Sequence, residues 1–254
     1  MVLTTYFSSK QDPQRHHSVS QDSLDYIAPL YHSLVQLGLA GRIFCDHLSD
    51  VFIAAHETDR IRFVRCRLGE HSLNDERFFV YREYLAANPG VSSVFMVDAN
   101  DVVITRNPFE SLRENTLYVG RDKCVVVGQS AYMRAKLHTL EVLSGLTIPA
   151  PMYSMPHYNA GIIGGRRQVM IDLLDRMIDL FNRCEGEGNV NMAALNYLLY
   201  QEYDARVLTS RYLPEAVDPS QDGFSRTRWI VSGYPLNSAY KRYETDSDAI
   251  FIHK

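Results

Sequence analysis

Four consecutive apolar residues, Val94-Phe95-Met96-Val97, run straight into an aspartate, Asp98. A strand with one wet face alternates apolar and polar residues, whereas this run offers solvent no polar face. It suits a strand buried on both sides, which requires helices above and below a parallel or mixed sheet. The remainder of the chain fits that frame. Strand-like runs at 2–7, 42–45, 61–66, 117–120, 125–127, 229–231 and 250–252 are interleaved with helix-like stretches at 23–39, 74–87, 130–143, 167–183 and 190–203. Strands alternating with helices define an α/β fold. The polar stretch 8–21 reads as a loop with a turn at Asp12-Pro13, and Asn88-Pro89-Gly90 stops the second helix. No repeat, low-complexity block or linker interrupts the pattern, so the expectation is one domain over 1–254 with long functional loops near 145–157 and 209–228.

Composition narrows the function classes. With 46% hydrophobic and 22% charged residues, the chain can bury a packed core. A net charge of −4 gives no basic face for a nucleic-acid backbone. An anionic nucleotide can still bind a mildly acidic protein when a cation sits between them. The cysteines, Cys45, Cys66, Cys124 and Cys184, are far apart in the chain and form no zinc-type pair. Cys45, Cys66 and Cys124 lie in or beside apolar runs and read as buried thiols of a reducing compartment. The first seven residues turn polar too soon for a signal peptide. No apolar run approaches the roughly 20 residues of a membrane span. The expectation is a cytoplasmic protein with no transmembrane segment.

Three places carry chemistry. Asp98 and Asp101 follow the buried strand directly, and ligands of open α/β sheets gather at the carboxyl ends of strands. Two carboxylates presented together repel unless a cation joins them, and hard divalent cations prefer oxygen ligands. The alternative is a turn or helix cap, which Asp-Ala-Asn-Asp could also make. Aspartyl-phosphate chemistry is excluded by spacing, because Asn100 stands two residues after Asp98. The second place is Pro156-His157-Tyr158-Asn159-Ala160-Gly161-Ile162-Ile163-Gly164-Gly165. Its small residues either let the backbone pass close to a ligand or make a tight turn into the helix near Arg166. No G-x-G-x-x-G fingerprint occurs there. The third is the apolar run Ile250-Phe251-Ile252, which delivers His253 and Lys254. Imidazole can ligate a metal and lysine can face phosphate, while the alternative is a solvated end of the sequence.

At these places the chain resembles retaining glycosyltransferases of the GT-A fold, of the glycogenin and lipopolysaccharide galactosyltransferase type. Asp98-Ala99-Asn100-Asp101, with Asn107-Pro108-Phe109 beyond it, is also similar to the glycosyltransferase domains of procollagen lysyl hydroxylases. The resemblance covers Thr4 to His253. It implies a Rossmann-like, mixed but mostly parallel central sheet flanked by helices, with a donor half at about 1–115 and an acceptor half at about 116–254. Asp98, Asp101 and His253 would hold Mn²⁺, with Mg²⁺ as the alternative. Thr4, Thr5 and Tyr6 would receive the base. Asp98, Ala99, Asn100 and Gly161 would line the nucleotide-sugar site, with Arg82 and Lys254 on phosphate or sugar. Asn159 and Asn191 would act at the sugar. The family carries Asp-Gln where this chain has Asn191-Met192, and often continues with Gly- or Lys-Pro-Trp where this sequence has reached Lys254.

The expected activity is transfer of a hexose from a nucleotide sugar, UDP-linked by preference, to a hydroxyl of a glycan, lipid-linked or protein acceptor, with retention. The uncharged Asn191-Met192 pair keeps a second reading open, a degenerate protein that binds nucleotide sugar or glycan without turnover. A nucleotidyltransferase would show a glycine-rich basic loop after the first strand, and Ser8-Ser9-Lys10-Gln11-Asp12 has no glycine.

Overall fold

The structure is a computed structural model that describes residues 1–202 except 15, 17, 111 and 185–187, together with 229–236 and 250–253. Among the described residues the strands are β1 (Val2–Tyr6), β2 (Gly41–Cys45), β3 (Ile61–Arg65), β4 (Ser93–Val97), β5 (Val102–Ile104), β6 (Thr116–Val126), β7 (Pro156–Arg166), β8 (Trp229–Leu236) and β9 (Phe251–His253). The α-helices are α1 (Ala28–Leu37), α2 (Asp50–His56), α3 (Leu73–Ala87), α4 (Ala131–Ser144), α5 (Arg167–Arg183) and α6 (Asn191–Glu202). Seven strands form one sheet in the order β3-β2-β1-β4-β7-β6-β8. Only β7 runs against the others, antiparallel to both β4 and β6. The sheet is therefore mixed and mostly parallel. β5 and β9 pair separately as an antiparallel ribbon.

The Val94–Val97 run is buried on both faces. Val94 and Met96 belong to a core shared with α3, α4, α5 and α6, while Phe95 and Val97 belong to a second core shared with α1, α2, β5 and β9. α5 turns eight apolar residues, from Val169 to Phe181, into the first core. Full burial of each such side chain contributes about 1.5–3 kcal/mol. No helix among the described residues is long and apolar enough to cross a membrane.

Several elements differ from the sequence expectation. The stretch 23–39 is a 3-10 turn (Leu24–Tyr26) followed by α1, because Pro29 lacks an N–H and favours the first helical turn. α2, not anticipated, is only seven residues long and is set by its Ser49 cap, whose side chain accepts from Phe52 N. The runs at 117–120 and 125–127 are a single strand, β6, interrupted by register shifts after Val119 and Arg121.

The largest correction concerns residues 156–165, which form not a tight turn but most of the eleven-residue β7. Its Gly164 answers to packing. Phe95 pairs across the sheet with Gly164, and a Cβ there would lie 2.1 Å from the Phe95 ring. Overpacking of this kind costs about 1–3 kcal/mol. Gly164→Ala is accordingly expected to lower Tm by about 3–8 °C in calorimetry. An unchanged Tm would mean that the ring moves aside without cost.

Cys45 and Cys184 are buried, Cys66 is half-buried, and all three thiols are free. Burial pushes the Cys45 thiol up to about 11 and the Cys66 thiol up to about 12. Both therefore stay protonated near neutrality and are poor nucleophiles. The Cys124 side chain and the loop 209–228 lie outside the described residues.

Candidate metal centre

The site grows from the end of β4. Asp98 N donates to Gly161 O at 2.9 Å, which carries the β4–β7 ladder one residue past the strand. The chain then turns through Ala99 and Asn100 to Asp101 and enters β5. β9 pairs with β5 so that His253 lies opposite Val102, beside Asp101. Burial of Phe251 and Ile252 in the second core fixes that register. His253 Nε2 is 3.2 Å from Asp101 Oδ1 and 3.6 Å from Asp98 Oδ2. One donor atom from each of the three residues lies within 4.8 Å of the others.

The residues present fit a divalent cation. Two carboxylates and an imidazole offer hard oxygen with one nitrogen, a set that could hold a divalent cation. Gly161 leaves room for the three to meet: a Cβ there would lie 2.2 Å from His253 Cε1 and 2.6 Å from Asp98 Oδ2. Here the glycine is required by close approach and not by backbone conformation.

A residue missed in the sequence completes the centre. Arg77, on α3, donates to Asp98 Oδ1 through Nη1 and to Ala160 O at 3.2 Å through Nη2. Burial is the largest influence and opposes its charge, but the Asp98 carboxylate, with Tyr81 and Asp75 nearby, raises the guanidinium above its usual range. Arg82 was the arginine expected here. Five residues on a helix correspond to about 140° of rotation, so both cannot face the same side. Arg82 instead forks onto Asp175 of α5, at 2.5 and 3.2 Å. The signal that separates them is phase: Arg77 precedes Phe78, Tyr81 and Leu85 of the buried face by one, four and eight positions.

Asp98, Asp101, His253 and Arg77 line a polar cleft of about 390 Å³, joined by Thr5, Ala99, Asn100, Asn159 and Asn191. Asn159 Oδ1 accepts from Gly161 N at 2.6 Å and so braces the cradle. Thr4 and Tyr6 do not reach the cleft. Side chains alternate along a strand, so a run of three cannot share a face. Thr4 Oγ1 donates to Val97 O at 2.8 Å, and the Tyr6 hydroxyl accepts from Ser23 N at 3.0 Å within the second core. Lys254 lies outside the described residues.

The far wall was not legible in the sequence. The loop after β1 brings Asp12 and Gln14 to the cleft, facing Ser130, Tyr132 and His157. Gln14 Nε2 donates to the Tyr132 hydroxyl at 2.6 Å. Burial pushes that hydroxyl up to about 12, against the Gln14 hydrogen bond. The start of the loop is tied down by Asp46, which accepts from Ser8 N at 2.9 Å and Ser9 N at 3.0 Å.

Compared with known protein families and curated proteins, the chain matches no family model and no curated protein. Its fold and site define an α/β protein with an Asp–Asp–His candidate metal centre at the carboxyl end of a central strand.

Proposed function

We propose that the chain is a divalent-metal-dependent glycosyltransferase, with Mn²⁺ preferred, that moves a hexose from a nucleotide sugar to an acceptor hydroxyl with retention. The observation that carries this reading is the convergence of the neighbouring Asp98 and Asp101 with His253, from a distant part of the chain, on one spot in an open polar cleft. When bound there, the cation would neutralise the donor diphosphate and stabilise the departing nucleoside diphosphate as a Lewis acid. Arg77 adds a fixed positive charge beside Asp98. Asn159 and Asn191 line the cleft where they would offer hydrogen-bonding groups to the sugar, and Thr5, at the end of β1, would face the nucleotide. The free thiols support a cytoplasmic setting.

The second reading, a binding protein without turnover, is favoured by α6. Met192 occupies a glutamine's place in the resembling enzymes, and its sulfur is already committed to Ala160 N at 3.2 Å. Release of nucleoside diphosphate from UDP-glucose, UDP-galactose or GDP-mannose distinguishes the two readings. Turnover that EDTA abolishes and added Mn²⁺ restores is the expected result. Metal-dependent binding without release would favour the second reading, and neither binding nor release would overturn both.

A further inference from the structure

Behind Asn191 lies a buried polar network. Asp75 of α3 is 2% exposed. Its Oδ2 accepts from Val190 N at 3.1 Å, and its Oδ1 accepts from Asn191 N at 2.9 Å and Asn191 Nδ2 at 3.0 Å. The same Nδ2 donates to Asn189 Oδ1 at 3.0 Å, which also accepts from Asn74 Nδ2 at 3.3 Å. Asn189 holds φ at 45°, a left-handed conformation that asparagine tolerates. Both protons of the Asn191 amide are thus taken. A carboxylate can only accept, so the amide cannot flip without facing oxygen with oxygen.

Asn191 also lines the cleft, and what it can offer a ligand is its carbonyl oxygen. An acceptor oxygen reads a hydroxyl and not a phosphate, which at neutral pH has little or no proton to give. The next residue, Met192, docks the first turn of α6 on Ala160, adjacent to the Gly161 cradle that borders Asp98 and His253. We propose that Asp75 is a positioning residue that locks the Asn191 amide with its oxygen toward the cleft, and that Asn191 thereby selects a hydroxyl on the sugar of the donor. This rests on the transferase reading above and assigns the sugar-reading element within it.

The test is a pair of calorimetric titrations in Mn²⁺, nucleotide sugar against its own nucleoside diphosphate: UDP-glucose and UDP-galactose against UDP, and GDP-mannose against GDP. Asp75→Ala removes both acceptor oxygens and so releases the Asn191 amide. It is expected to weaken binding of the nucleotide sugar about tenfold, the order of one lost hydrogen bond. The nucleoside diphosphate should bind within about twofold of wild type. Asn191→Ser, which keeps a good helix-start residue and removes only the amide, should show the same split if Asp75→Ala melts. Equal loss for both ligands, or no loss for either, overturns the positioning role while leaving the transferase reading intact. Failure of wild type to bind any of the ligands overturns the transferase reading, and this inference with it.

Discussion

Asp98→Asn combined with Asp101→Asn is expected to abolish metal-dependent donor turnover, a fall of about 10³-fold or more given what a Lewis acid contributes at a diphosphate. The two positions are not equivalent. Asp101 meets His253, whereas Asp98 meets both His253 and Arg77. Asp98→Asn alone leaves the Arg77 guanidinium, 11% exposed, without its carboxylate. Stranding one member of a hydrogen-bonded charge pair costs about 1–3 kcal/mol. In EDTA, Asp98→Asn should therefore melt several degrees below wild type. Asp101→Asn should melt within a degree or two of it, because removing one of two neighbouring carboxylates relieves repulsion. Activity lost in both variants but stability lost in one is the expected signature. Equal melting points and retained turnover would contradict the assignment.

The second large effect separates two arginines on one helix. Arg77→Met is expected to lower kcat/KM about 10²-fold or more, since it removes the only described arginine that lines the cleft. Arg82→Met, five residues on, should leave kcat/KM within about twofold. The Arg82–Asp175 pair is partly exposed at both ends, and such surface pairs contribute about 0–1 kcal/mol. Steady-state kinetics on the two variants decides the matter, and a larger loss at Arg82 would displace the centre from the end of β4.

What could be seen in the sequence and what could not has a physical pattern. Local signals drew attention to Asp98, Asp101 and His253, at or beside the ends of apolar strands, but left turn and chain-end readings open; the family resemblance joined them, and the structure brings them together. Local signals sufficed for α5, where periodicity over 17 residues is unambiguous. β7 was misjudged because its glycines look like turn residues until Phe95, about 70 positions away, is seen to need the space above Gly164. Thr4 and Tyr6 were grouped with Thr5 because a resemblance carries runs of residues, while a strand presents every second one. Asp75 gave no signal, as its partners at Val190 and Asn191 lie 115 and 116 residues away. The cleft's far wall depends on the same kind of long-range meeting, Gln14 with Tyr132.

The central claim is that Asp98, Asp101 and His253 bind a divalent cation that in turn holds a nucleotide sugar. Thermal melting of wild type and the Asp98→Asn, Asp101→Asn double variant, across a panel of nucleotide sugars with and without Mn²⁺, tests it most directly. A ligand at about 100 times its Kd stabilises the folded state by about 2.7 kcal/mol. The account predicts a rise in Tm of several degrees for wild type with at least one nucleotide sugar, only in the presence of Mn²⁺, and none for the double variant. No rise at millimolar metal and nucleotide sugar, or a rise of equal size in the double variant, would contradict it.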